Sequence, residues 1–169
     1  MPESDNKELQ VQSQDLSSKP ESEFTQCERL EKSFMKTQEQ WSATIHDLNS
    51  KMKDLGTLQS LQNEIYAKHQ DLTDYYYTVL NTLGRVSRQK QKKYAEWYNF
   101  YKTQSQVRYS SDAAINTQIE AQLYDINEII GLLSNHVNWA KDTLSNLNSM
   151  SYGINNRIEI YKMINGVKI

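Results

Sequence analysis

Cysteine occurs once in the 169 residues, at Cys27, proline twice, at Pro2 and Pro20, and glycine five times. One thiol excludes an intrachain disulfide framework and a thiolate metal cluster, and is the usage expected of a reducing compartment such as the cytoplasm. So few Gly and Pro turns are hard to reconcile with a β-sandwich or barrel. The longest apolar run, Ile129 to Leu133, is far too short to cross a bilayer, and no signal-peptide pattern opens the chain. Catalytic patterns are missing as well. The glycines are scattered singly, so no phosphate-cradling loop, dinucleotide fingerprint or nucleophile elbow is present. His46, His69 and His136 stand far apart, in no paired metal-ligand spacing. They read as helix-face or seam histidines, with His69 expected as a buried neutral imidazole. Cys27, with no histidine nearby, reads as inert. No enzyme activity, metal or cofactor is expected.

Charge is present but unevenly spread. The formal net charge is -2 and apolar residues make up only 37%. Residues 1–40 hold five basic and nine acidic groups, whereas residues 85–108 hold seven basic groups (Arg85, Arg88, Lys90, Lys92, Lys93, Lys102, Arg108) against Glu96 alone. Screening over roughly 8 Å at physiological ionic strength means that a polyanion meets this local concentration rather than the chain average.

Residues 1–25 are rich in Ser, Gln, Glu, Asp and Lys. They lack the apolar surface needed to offset chain entropy and read as a disordered acidic and polar tail. Residues 26–169 read as one helical domain. Leu30, Phe34, Trp41, Ile45 and Leu48 suggest a first, weak helix ending near Gly56. Over residues 57–104, Leu58, Ile65, Leu72, Val79 and Val86 repeat every seven residues, which predicts a helix about 70 Å long. A turn follows around Gln106 to Ser111, with Ser111 or Asp112 as cap.

The strongest periodicity comes next. Ile119, Leu123, Ile126, Ile130, Leu133, Val137, Ala140, Leu144 and Leu147 alternate steps of four and three. That is an a/d seam which must find a partner. Folding back on the preceding helix gives a long antiparallel hairpin of coiled-coil character. Two helices make only a small core, so self-association is the expected completion. After an interruption at Ser149 to Gly153, Ile154, Ile158, Tyr161 and Ile164 mark a short C-terminal helix stopped by Asn165-Gly166, again with apolar positions suited to a neighbouring copy. The fold class is therefore all-α and oligomeric.

On a wheel of 100° per residue with Arg85 at 0°, Arg88, Lys92 and Lys102 fall at about 300°, 340° and 260°. Tyr94, Trp97, Tyr98 and Tyr101 fall at about 180°, 120°, 220° and 160°, on the opposite side. Cations without interleaved acids suit a phosphate backbone, and aromatics facing away from them suit packing. Lys90 and Lys93 flank the stripe. The candidate DNA-binding set is Arg85, Arg88, Lys90, Lys92, Lys93 and Lys102. The bland alternative is a solvated face on a coiled-coil scaffold or virion assembly protein with no DNA binding.

Four stretches in order resemble the phage recombination mediator family typified by UvsY. They are Thr37-Gln38-Glu39-Gln40-Trp41, then Glu64-Ile65-Tyr66-Ala67-Lys68-His69, then the basic-to-aromatic run from Lys92 to Tyr101. The last runs from Leu144 through Tyr152-Gly153-Ile154 and Tyr161-Lys162-Met163-Ile164-Asn165-Gly166-Val167. The resemblance implies a helical ring of six or seven subunits that binds single-stranded DNA in the cytoplasm of an infected bacterial host. It also implies partnership with a RecA-like recombinase and with the single-strand binding protein that the recombinase replaces. The family's DNA-contacting basic residues lie just before an aromatic pair, where Lys92 and Lys93 are the nearest matches. The acidic tail has no counterpart in the family.

Overall fold

The computed structural model describes residues 25–109 and 111–166, the side chain of Leu55 excepted. The expected tail lies outside the described residues, apart from Thr25. Four helices and no strand occur among the described residues: α1 (Gln26–Lys51), α2 (Leu58–Thr103), α3 (Asp112–Gln122) and α4 (Tyr124–Ile164), with a single 3-10 turn at Leu55–Thr57 between α1 and α2.

Local chemistry sets the ends. Thr25 and Glu28 form a reciprocal capping box at α1, with Thr25 Oγ1 accepting from the Glu28 amide at 3.2 Å and Glu28 Oε2 from the Thr25 amide at 2.7 Å, which satisfies two otherwise orphaned donors. Asp54 turns the chain into α2 by accepting the Gly56 amide at 2.9 Å. Ser111 caps α3 through the Ala114 amide at 3.3 Å, as the sequence predicts. Gly166, with φ +65, closes α4 in the left-handed conformation that favours glycine.

α2 and α4 lie antiparallel: Gln62 bonds Asn155 and Tyr75 bonds His136. α1 runs parallel to α4, since Cys27, Gln38 and Met52 meet Asp125, His136 and Arg157 in turn. One end is therefore a three-helix bundle. Leu48 of α1, Leu58, Leu61, Ile65 and Leu72 of α2, and Ala140, Leu147, Met150 and Ile154 of α4 share its core. A middle layer of Val79, Leu133 and Val137 is flanked by Leu30, Phe34, Leu83 and Ile129. At the far end Ile115, Ile119 and Leu123 pack under Tyr94, Trp97, Tyr98 and Tyr101 of α2.

The hairpin and the all-α class match the sequence reading, and three details differ. First, the seam assigned to self-association is largely filled within one chain. Ile119, Leu123, Leu133, Val137, Leu147 and Ile154 are buried, and Ile126, Ile130, Leu144 and Ile158 are half-buried. α1 supplies the missing third helix over the bundle end, so only Tyr161 and Ile164 of the expected oligomer contacts stay exposed. Second, the heptad helix breaks at Leu123, whose amide is shared between the Ile119 and Glu120 carbonyls at 3.0 and 3.2 Å. Third, no interruption occurs at Ser149 to Gly153, so the closing segment is the last turns of α4. The Ser149 hydroxyl is satisfied by the Ser145 carbonyl at 3.0 Å, and a mid-helix glycine costs only about 1 kcal/mol.

Candidate nucleic-acid interface

The basic residues sit on the last five turns of α2, where α3 and the first turns of α4 pack against the aromatic and Val86 side of the helix. Packing consumes the aromatic side: Tyr94 donates to Asn116 Oδ1 at 2.7 Å, and Tyr98, Trp97 and Tyr101 lie against the α3 core. Trp97 and Tyr101 stack with centroids 5.9 Å apart, and Tyr109 meets Tyr101 edge-on. The aromatics thus build the junction, as their wheel positions predict.

The six candidate cations divide into two groups. Lys102 Nζ lies 2.6 Å from Asp112 Oδ1 and 5.6 Å from the Tyr98 ring centre. The Asp112 hydrogen bond and charge raise its pKa above the usual lysine value. Lys90 Nζ stands 3.9 Å from Glu120. Both are engaged by α3, because Lys90 falls on the aromatic side of the wheel and Lys102 reaches the α3 cap. The remaining four are exposed and, among the described residues, reach no acid of another helix. Lys92 is 81% exposed at its side chain and only loosely paired with Glu96 at 3.9 Å, while Arg85, Arg88 and Lys93 make no ion pair among the described residues. The Arg88 guanidinium lies along the helix over Gly84, where an added Cβ would stand 3.6 Å from Nη1.

Two exposed aromatics on α2, absent from the candidate set, flank these four. Tyr77 is 56% exposed and Phe100 39% exposed. Their wheel positions of about 280° and 60°, with Lys93 at about 80°, were available from spacing alone.

The histidine expected to be buried is a different one. His69 is half-buried, whereas His136 is 1% exposed, stacked 3.8 Å from Phe34 and 4.8 Å from Trp139. Its Nε2 shares a 2.7 Å hydrogen bond with the Tyr75 hydroxyl, and Gln38 Nε2 lies 3.5 Å from Nδ1. Burial pulls its pKa down to about 4, so the ring is neutral at pH 7 and belongs to the core. Burial, and then the Glu128, Asp125 and Glu28 carboxylates, push the Cys27 thiol up to about 11, which keeps it protonated and a poor nucleophile. Among the described residues no group of three or more His, Cys, Asp or Glu side chains is placed to hold a metal ion, and no helix is long and apolar enough to cross a membrane. No family model, curated protein or solved structure matches the chain.

Proposed function

We propose that this protein is a non-enzymatic recombination mediator that binds single-stranded DNA along the outer face of α2. One observation carries the reading: Arg85, Arg88, Lys92 and Lys93 stand in solvent while the neighbouring aromatics and Lys90 and Lys102 are engaged by α3. Four cations that reach no acid of another helix among the described residues and face Glu96 alone are suited to a polyphosphate, whose condensed counterions are released on binding. The UvsY-like stretches point the same way. They supply the rest of the proposal: a ring of six or seven copies, a RecA-like recombinase loaded in place of single-strand binding protein, and a phage-infected bacterial cytoplasm as the setting. Several copies of one weak stripe bind with the avidity of a multivalent site.

Titration of fluorescent poly-dT at rising salt tests the reading. Binding is expected to weaken with a logarithmic slope of about -0.7 per neutralised phosphate. The double variant Arg88→Ala, Lys92→Ala is expected to lower both affinity and slope. Absence of binding at low salt would leave the second reading, a phage assembly scaffold. The exposed apolar end of α4 (Tyr152, Ile160, Met163, Ile164) favours association without specifying DNA. Light scattering gives the copy number, and recombinase assembly on protein-coated single strands tests the mediator step.

A further inference from the structure

We propose that Tyr77 and Phe100 are base-stacking platforms at the two ends of the cationic stripe, so that the strand is held by its bases as well as its phosphates. This rests on the DNA-binding reading above. A stripe of cations alone holds a strand by charge and leaves the bases in water, whereas single-strand binders pair such a stripe with exposed rings on the same side. α2 supplies one such ring within the stripe, Tyr77, and one at its Lys93 edge, Phe100. Tyr77 falls at about 280° on the wheel, within about 20° of Arg88 and 60° of Lys92, and Phe100 at about 60°, within about 20° of Lys93. They are separated by about 34 Å of helix, with Arg85, Arg88, Lys92 and Lys93 between them.

The remaining large aromatics on this half of α2 do not qualify, because Tyr94, Trp97, Tyr98 and Tyr101 lie against the α3 core. Tyr77 and Phe100 are each braced. Tyr76, itself packed in the core, meets the Tyr77 ring at 5.2 Å and 74°. Trp97 and Tyr101 meet Phe100 at 5.7 and 5.4 Å, edge to face. A ring held by neighbours loses little freedom when a base stacks on it. At 56% and 39% exposure, Tyr77 and Phe100 keep ring surface that the chain's own packing does not cover, and the cations beside them select a polyanion over an apolar partner.

The test compares full-length protein on two strands of equal length, poly-dT and an abasic deoxyribose-phosphate strand. The native protein is expected to favour poly-dT. Tyr77→Ala and Phe100→Leu, the latter keeping apolar volume without a ring, are each expected to weaken poly-dT binding about tenfold. Both should leave abasic binding and the salt slope unchanged, and Tyr77→Trp should restore the preference. Native protein that binds both strands equally, or variants that weaken both strands equally, would overturn the stacking proposal while leaving the phosphate stripe in place. Native protein that binds neither strand removes the DNA reading itself.

Discussion

From Leu58 to Gly84, α2 carries Glu64, Asp71 and Asp74 against Lys68; from Arg85 to Thr103 it carries six cations against Glu96. In the first half the charges are matched: Lys51 bridges to Glu64 at 3.0 Å, Lys68 lies 3.5 Å from Asp71, and Gln70 donates to Asp74 at 2.9 Å. In the second half Lys90 and Lys102 are drawn to α3, and four cations are left against Glu96 alone. The inner side tells the reverse story. The first half buries five aliphatic side chains between α1 and α4, and the second rests on Val86 in the middle layer and on a few aromatics over α3 and the start of α4. One half of the helix is spent on holding the fold together, and the other keeps charge that the fold does not use. Surface ion pairs contribute little to stability in either half, so the surplus has no evident structural purpose.

The largest expected effect separates the halves outright. Leu72, fully buried in the bundle, is expected to cost about 3–5 kcal/mol on replacement by Ala, from lost transfer energy and the cavity left behind. Urea unfolding measures this, and the salt slope of DNA binding should be unchanged below the transition. Arg88→Ala should do the opposite, weakening DNA binding while stability stays within the about 0.5 kcal/mol typical of surface changes. If Arg88→Ala destabilised the protein as strongly as Leu72→Ala, the division of labour would be broken.

The second effect belongs to the bundle and depends on pH. His136 is protonated only at about 4 in the folded chain, below its ordinary value near 6.5. Above pH 6.5 both states are neutral and stability is complete. Between 6.5 and 4 the unfolded chain takes up a proton that the folded chain refuses. Stability then falls by at most about 1.4 kcal/mol per pH unit, about 3 kcal/mol in all. Carboxylates also titrate near the lower end, so the difference between native protein and His136→Phe is the quantity to follow. It should be flat above pH 7 and shift steadily below 6.5; parallel profiles would show that the ring is not held neutral by its burial.

How far the sequence reveals this architecture follows from what each signal depends on. The α2 seam was legible because Leu58, Ile65, Leu72 and Val79 repeat at the heptad period, and all four are buried. The turn before α3 was legible because Ser111 is a strong cap. α1 gives a weaker signal, because its positions Leu30, Phe34, Trp41, Ile45 and Leu48 form a sparse stripe. Its role as third helix depends on tertiary partners such as His136 and Leu147 that periodicity cannot assign. Without α1 as a partner, periodicity alone leaves the α4 seam uncovered. The site was half legible. Wheel angles separated cations from packed aromatics, but the pairing of Lys102 with Asp112 and of Lys90 with Glu120 arises across a loop whose path no spacing rule sets. Tyr77 lies outside the basic segment, so local charge does not single it out.

A third test sharpens the split among the cations. Asp112→Asn removes the charge that holds Lys102 at the α3 cap. It is expected to lower the melting temperature slightly and to free Lys102, so DNA affinity should rise or stay level. The same affinity assay on Lys102→Ala should show a smaller loss than Arg88→Ala. A loss equal to that of Arg88→Ala would place Lys102 on the strand despite its ion pair.

The smallest effect concerns the boundary between the halves. Gly84 lies inside α2 at the point where the charge changes sign, and Gly131 lies inside α4 with nothing within 4 Å of where a Cβ would stand. Alanine at either position should stabilise the protein by about 0.5–1 kcal/mol, because glycine gives up more backbone freedom on entering a helix. At Gly84 the nearest side-chain atom would be Arg88 Nη1 at an ordinary 3.6 Å, so the guanidinium need not move. Both variants should then melt higher and bind DNA as the native protein does. If Gly84→Ala alone gained stability and lost affinity, α2 would have to bend at this glycine to seat the strand. The two halves would then be jointed segments rather than one continuous helix with two different outer surfaces.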